Sequence, residues 1–277
     1  MTPVQPGRPG RYWFDPAMPF VESRCASDSG AAYLPHTHPT LSVGAVDGGH
    51  SLFSTEAGAV RLSPGDVVVI PAGQVHACNP EPDRRWSYQM LHVDAAWAAA
   101  ALAARGAAAP AALARVRITS AADTYAALCA LNRLLFSAAP CARKAAALAA
   151  FLAALLGGAD PRQTVRAPRP PAGRARLARV VATLRERHAE PLPLAEMARA
   201  AGMSRYQLIR AFRAETGMTP HAYQLDLRIN HARHLLRAGG APADVAQDLG
   251  FSDQSHFQRA FKQRVALTPR GFQRRAG

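Results

Sequence analysis

The chain has 277 residues, 49% of them apolar and 19% charged, long enough to bury a sizeable core and too apolar to stay disordered. Its 33 basic against 19 acidic side chains give a formal charge of +14, which points to a polyanionic partner. Four cysteines without CxxC spacing exclude a disulfide framework and fit a reducing cytoplasm.

From the start, Met1–Tyr12 carries Pro, Gly and Arg but no apolar h-region, so no secretory signal is expected. Residues 20–95 alternate apolar and polar positions between Gly and Pro punctuation, as in Val60–Ile70 around Pro64-Gly65-Asp66. That pattern predicts short antiparallel strands joined by turns. From Ala95 the composition turns to alanine and leucine, and helices are predicted over Asp123–Phe136 and Arg143–Leu156, with a break at Pro140. The most apolar stretch, Ala145–Leu156, is too short to span a bilayer and is flanked by Arg143 and Lys144. Its Leu148, Phe151, Leu152 and Leu155, with Leu128, Leu131, Leu134 and Leu135, suit a homodimer seam or packing against the strands alike.

Residues 158–173 read as a linker, because Pro161, Pro168, Pro170, Pro171 and Gly173 interrupt any helix or strand. The charge divides there. Residues 1–160 hold 12 basic and 11 acidic side chains, and residues 161–277 hold 21 and 8. The expected organisation is two-domain α+β. Residues 1–95 form a β domain, 96–157 a helical segment, 158–173 the linker and 174–277 a basic all-helical domain.

That basic domain contains a repeat. Gly202-Met-Ser-Arg-Tyr-Gln-Leu-Ile-Arg-Ala-Phe-Arg213, followed by Thr219-Pro220, parallels Gly250-Phe-Ser-Asp-Gln-Ser-His-Phe-Gln-Arg-Ala-Phe-Lys262, followed by Thr268-Pro269. Each copy follows a short amphipathic helix, Leu194–Ala201 or Ala243–Leu249. Helix, glycine turn and a second helix opened by serine predict two helix-turn-helix units, with Gly202 and Gly250 in left-handed turns and Ser204 and Ser252 as caps. Leu208 with Phe212, and Phe257 with Phe261, stand four apart and face inward. Arg205, Tyr206 and Arg210 then face outward on one helix, and Gln254, Ser255, His256, Gln258 and Arg259 on the other. A helix from Thr219-Pro220 to about Ala238 would join the units as a rod of ~30 Å, close to one DNA turn of ~34 Å.

These residues make 174–277 similar to the DNA-binding domain of the AraC/XylS family of bacterial transcription regulators. The resemblance implies base-edge contacts by Tyr206, Arg210, Gln254, Ser255, His256 and Arg259, beside the outward Arg205, on double-stranded DNA. Arginine bonds guanine bidentately and glutamine suits adenine. Ser204, Arg213, Ser252 and Lys262 are expected on phosphates, setting register. Two departures stand out: Ala266 replaces the family's glycine before Thr268-Pro269, and Phe272-Gln273 replaces its Tyr-Arg.

In the β domain, Gly30, His36-Thr37-His38 and Gly49 are followed by Gly65, Pro71-Ala72-Gly73, His76 and Asn79. These resemble the two motifs of the cupin β-barrel, which many AraC-family regulators carry as an effector-binding domain. Strand alternation puts His36 with His38, and His76 with Cys78, on single faces. Trp86, Tyr88, Met90 and His92 share another. The expected effector pocket is therefore His36, His38, His76, Cys78 and Tyr88. Metal-binding cupins add a glutamate, whose place here falls at Ser42 or Val43. His36, His38 and His76, with the Cys78 thiolate, would still suit Zn²⁺ or another divalent metal.

The expectation is a cytoplasmic transcription regulator and not an enzyme. It senses a small effector in the barrel, binds promoter DNA, forms a homodimer and, if it activates, meets RNA polymerase. The alternative is a cupin-type metal-dependent enzyme or metal sensor tethered to DNA.

Overall fold

A computed structural model describes residues 10–106, 113–157, 163–164 and 174–276. Residues 1–9 and, apart from 163–164, the expected linker lie outside the described residues. The strands are β1 (Arg11–Phe14), β2 (Val21–Ser29), β3 (Leu41–Gly48), β4 (Ser51–Thr55), β5 (Gly58–Leu62), β6 (Val67–Ile70), β7 (Ala77–Pro80), β8 (Trp86–Val93), β9 (Arg117–Thr119) and β10 (Gln163–Thr164). They form an antiparallel seven-stranded sheet, ordered β1-β2-β8-β3-β6-β9-β10, and a three-stranded one, ordered β5-β4-β7.

Alternation decides which side chains meet. Leu41, Val43 and Ala45 of β3, Val67 and Val69 of β6, and Leu91 and Val93 of β8 join one core with the helices behind the large sheet. Their neighbours Val46, Val68, Ile70, Trp86 and Tyr88 point the other way and meet Phe53 and Leu62 of the small sheet. The helices behind are α1 (Ala95–Ala103), α2 (Ala122–Leu135) and α3 (Cys141–Gly157). Of the apolar set on them, Leu128, Leu131, Leu135, Leu148, Phe151, Leu152 and Leu155 are buried against that sheet and Leu134 is half-buried. Packing within one chain thus buries most of this set, each buried leucine contributing roughly 1.5–3 kcal/mol. Strands β9 and β10 return from the segments read as helix and linker; strands of two or three residues show no period.

The basic domain contains α4 (Arg174–Glu186), α5 (Leu194–Ala200), α6 (Arg205–Thr216), α7 (Pro220–Arg237), α8 (Pro242–Asp248), α9 (Gln254–Val265) and α10 (Pro269–Ala276). Both expected units are present, α5–turn–α6 and α8–turn–α9, with Gly202 at φ +62° and Gly250 at φ +69°. Gly250 is doubly required, since a Cβ there would lie 2.1 Å from the Ala189 carbonyl oxygen. Ser204 caps α6 in a reciprocal box with Gln207.

The second cap corrects the sequence reading. Asp253, not Ser252, accepts the His256 N–H at 2.7 Å, and the Ser252 hydroxyl donates to the Asp253 carboxylate. A carboxylate at the positive end of a helix is the stronger acceptor.

Helix α7 has 18 residues, about 27 Å of rod. It supplies Tyr223 to the core around Leu208 and Phe212, and Ile229 and Leu236 to the core around Phe257 and Phe261. Arg228 fastens the two units, donating to the carbonyls of His188 at 2.7 Å, Gly250 at 2.6 Å and Glu190 at 3.0 Å.

Candidate functional site

Four histidines converge inside the barrel. His36 and His76 exchange two backbone hydrogen bonds of 3.0 Å across an isolated bridge, which sets their rings 4.6 Å apart. His38 lies 4.9 Å from His36 and 5.4 Å from His76, and the His92 ring, tilted by 52°, lies 4.3 Å from His38. His36 Nδ1–H donates to the Leu34 carbonyl at 2.8 Å and His76 Nδ1–H to that of Gln74 at 2.9 Å. Both rings therefore leave a bare Nε2. His38 differs: its Nδ1 accepts from the Arg233 guanidinium at 2.7 Å, so its proton sits on Nε2.

Burial keeps these rings neutral. It pulls His36, His38 and His92 well below the usual imidazole range, helped by the neighbouring imidazoles and Arg233, and lowers His76 to about 4. The Cys78 thiol is pushed up to about 12 by burial. Of the expected set, His36, His38 and His76 bring their ligating atoms together, and Cys78 does not join that group.

A cavity of about 70 Å³ opens over the cluster. Trp86, Tyr88, Met90 and His92 of β8 form one wall, as alternation predicted, and Tyr33 and Cys78 another. Met90, outside the expected pocket, also lines the cavity. The roof comes from the basic domain: Arg233 of α7, Arg264 and Val265 at the end of α9, then Leu267 and Phe272.

Helix α7 docks on the barrel by one stripe, Asp226, Asn230, Arg233 and Arg237, spaced four, three and four apart. Thr37 donates its N–H at 3.0 Å and its hydroxyl at 2.5 Å to Asp226, and Asn230 donates to the Thr37 hydroxyl at 2.9 Å. Burial raises Asp226 to about 6, against the opposing hydrogen bonds from Thr37 and the charge of Arg264. Glu22, itself buried, pairs with Arg233 at 3.0 Å and with Arg237, and accepts from the Tyr12 hydroxyl. The last turns of α6 and α9 also touch the barrel. Gly217, which ends α6, abuts Val75, and Arg24 Nη1 donates to the Val265 carbonyl at 3.3 Å.

The outward residues of both units are largely accessible. Arg205, Tyr206 and Arg210 of α6 are exposed, the Arg210 guanidinium lying 5.6 Å over the Tyr206 ring. Gln254, Ser255 and Arg259 of α9 are exposed, while His256 is half-buried against Phe251. Arg213 and Lys262 are exposed, the Ser204 hydroxyl caps α6, and the Ser252 hydroxyl donates to the Asp253 cap.

His36, His38 and His76 place ligating nitrogens within 4.8 Å of one another, and neutral imidazoles are the form a metal takes. Two features oppose a metal. No carboxylate joins the set among the described residues, and a guanidinium occupies the His38 lone pair. The set fits a cation only if Arg233 withdraws.

Sequence reasoning missed Tyr12, Glu22, Arg24, Tyr33, His92, Arg233 and Arg264. Only His92 had a local signal, its place in the Trp86–His92 alternation, while the rest depend on how the two domains meet.

An AraC-like ligand binding domain matches residues 21–157 and a helix-turn-helix domain matches residues 197–275. YbfI of Bacillus subtilis, an HTH-type transcriptional regulator, is 44% identical over 73 residues, covering 26% of each chain. MtrA of Neisseria gonorrhoeae is 34% identical over 83 residues, 30% of this chain and 28% of that one. The activator RhaS of an Enterobacter is 35% identical over 97 residues, 35% of each chain. The matched stretch thus spans only about a quarter to a third of these relatives. Apo ToxT of Vibrio cholerae shares the fold at 10% identity, with a TM-score of 0.60 over 93% of this chain and 98% of that one. So does ToxT with an unsaturated fatty acid bound, at 10% identity and a TM-score of 0.57, over 98% and 97%. Among the described residues, no helix is long and apolar enough to cross a membrane.

Proposed function

The chain belongs to the AraC family, an AraC-like ligand-binding domain ahead of a helix-turn-helix domain, and from that membership we propose a cytoplasmic transcription regulator whose DNA binding answers to a small effector. The observation that carries this reading is that one cavity is walled by both domains. Its floor is the barrel's histidine cluster, and its roof is α7 and the end of α9. A ligand with different affinity for the docked and undocked arrangements would shift how the two helix-turn-helix units are held. Arg205, Tyr206, Arg210, Gln254, Ser255, His256 and Arg259 would read bases, and Ser204, Arg213, Ser252 and Lys262 would hold phosphates. A homodimer and a contact with RNA polymerase belong to the same reading. The relatives above are named regulators, which favours it over a cupin enzyme tethered to DNA.

Selection of full-length protein on a random-sequence duplex library tests the proposal. One or more enriched motifs are expected, and recovery without enrichment would refute sequence-specific binding.

The three-histidine set favours a second reading, a divalent metal such as Zn²⁺ held by His36, His38 and His76. Because Arg233 competes for His38, the Arg233→Gln variant should then bind zinc about tenfold more tightly than the wild type by calorimetry. Equal affinities would show that Arg233 does not compete for His38, and no zinc bound by either would remove the metal.

A further inference from the structure

The charges around the cavity do not balance. Glu22 serves both Arg233 and Arg237, and Asp226 lies 3.8 Å from Arg264. Arg24, pointing in from β2, has no carboxylate within salt-bridge distance among the described residues. Its Nε is buried without a hydrogen-bond partner, as is that of Arg264. The Arg24 guanidinium lies over the Tyr33 and Tyr88 rings, at 6.0 and 5.8 Å. Its Nη1 bond to the Val265 carbonyl, at 3.3 Å, is long for a charged donor. The partners of this buried cation, the Val265 carbonyl and the Tyr33 and Tyr88 side chains, are all neutral, and an anion would compensate it far better.

The rest of the lining selects the body of that anion. Trp86 stacks on Tyr88 with centroids 4.3 Å apart, and Met90, Leu267 and Phe272 complete an apolar wall. Size then adds a constraint. The cavity measures about 70 Å³, whereas an apolar cavity that holds benzene measures roughly 150 Å³. A ligand of that size has to displace a wall. The β2 and β8 walls are strands bonded on both sides, but the roof at Val265 is held to the barrel through Arg24 and through a 3.3 Å bond from the Leu34 N–H to the Gln263 carbonyl.

We propose that the effector is a small carboxylate with an apolar body, and that it takes the Arg24 guanidinium from the Val265 carbonyl. Occupancy is thereby transmitted straight to the last turn of α9. The carboxylate pairs with Arg24 and the apolar body lies against Trp86 and Tyr88. The roof lifts, and the end of α9 loses its tie to the barrel. The inference deepens the effector reading above and rests on it for the purpose of the coupling.

Calorimetry on the full chain with benzoate, hexanoate and their neutral amides tests the ligand class. At least one acid should bind about tenfold or more tightly than its amide. Arg24→Gln should erase that preference and Arg24→Lys should retain part of it, which separates lost charge from lost folding. Hydrogen exchange gives the second readout. The acid should speed amide exchange over residues 262–268 in the wild type, and in Arg24→Gln that segment should exchange fast with or without acid. Three results would each overturn the proposal: acids and amides bound alike, no acid bound below about 10 mM, or slower exchange over 262–268 on binding. The DNA selection described above fails or succeeds separately. Acid binding without motif enrichment would refute the regulator while leaving the site intact, and enrichment without acid binding would do the reverse.

Discussion

Arg233 of the rod helix donates to Nδ1 of His38 in the barrel at 2.7 Å and pairs through its other amino group with Glu22 at 3.0 Å. One side chain of the DNA-binding domain therefore fixes the tautomer of a cavity histidine and neutralises a buried carboxylate. The same helix α7 contributes to the cores of both helix-turn-helix units.

Glu22→Gln should be strongly destabilising, because it strands Arg233 and Arg237 at a buried interface. Breaking one partner of such a pair costs roughly 3–5 kcal/mol. Urea denaturation measures it, with the exposed Arg61–Glu81 pair as control, where Glu81→Gln should leave the midpoint in place. Equal midpoint shifts in the two variants would show that the interdomain pair does no more than a surface one.

Acid should destabilise the docked protein. In the unfolded chain each histidine gains a proton near pH 6.5, whereas in the folded cluster His76 does so only near 4 and His36, His38 and His92 are also held well down. Between those values the unfolded state binds more protons, so stability falls with pH by up to about 1.4 kcal/mol per unit for each ring. Asp226 works the other way between about 6 and its ordinary 3.8, since the folded state protonates it first. Four rings outweigh one carboxylate. The urea midpoint at about pH 5 should therefore lie well below that at about pH 7.5, and an unchanged midpoint would mean the rings are already protonated in the fold.

Ala266 ends α9 at φ +56°, in the left-handed region where a Cβ costs roughly 1–2 kcal/mol. Ala266→Gly removes that strain and partly offsets the gain by loosening the unfolded chain, leaving about 0.5–1 kcal/mol. A rise of a few degrees in Tm is expected, and a fall would show that the alanine methyl packs favourably.

The exposed residues of the two recognition helices should separate by role. Arg210→Ala should relax specificity at one base position for ~1–3 kcal/mol, while Lys262→Ala should weaken every sequence alike and flatten the salt dependence by about one unit of slope. Competition binding on duplexes that differ at single positions distinguishes them. If both variants weakened all sequences equally, the division into base and phosphate contacts would be wrong.

Much of this architecture was legible because it is local. Period-2 alternation sorted His36, His38, Trp86, Tyr88 and His92 onto inward faces, and glycine, serine and proline marked the turns at Gly202, Ser204, Gly250 and Pro220. Strands β9 and β10 were not, being too short to show a period. The cap at Asp253 was misread by one residue because serine and aspartate, side by side, both cap well.

The +14 charge and its concentration after residue 160 pointed by themselves to a polyanion and to the domain that meets it. Composition, turn chemistry and repeat spacing are properties of neighbouring residues, so they were visible in one dimension. The cavity was not. Arg24 and Val265 are 241 residues apart, and Glu22 and Arg233 are 211 apart. Nothing in either member of those pairs announces the other. Only the docking of α7 on the barrel decided that part of the basic charge faces inward, onto the barrel cavity, while the rest stays outside on the exposed helices.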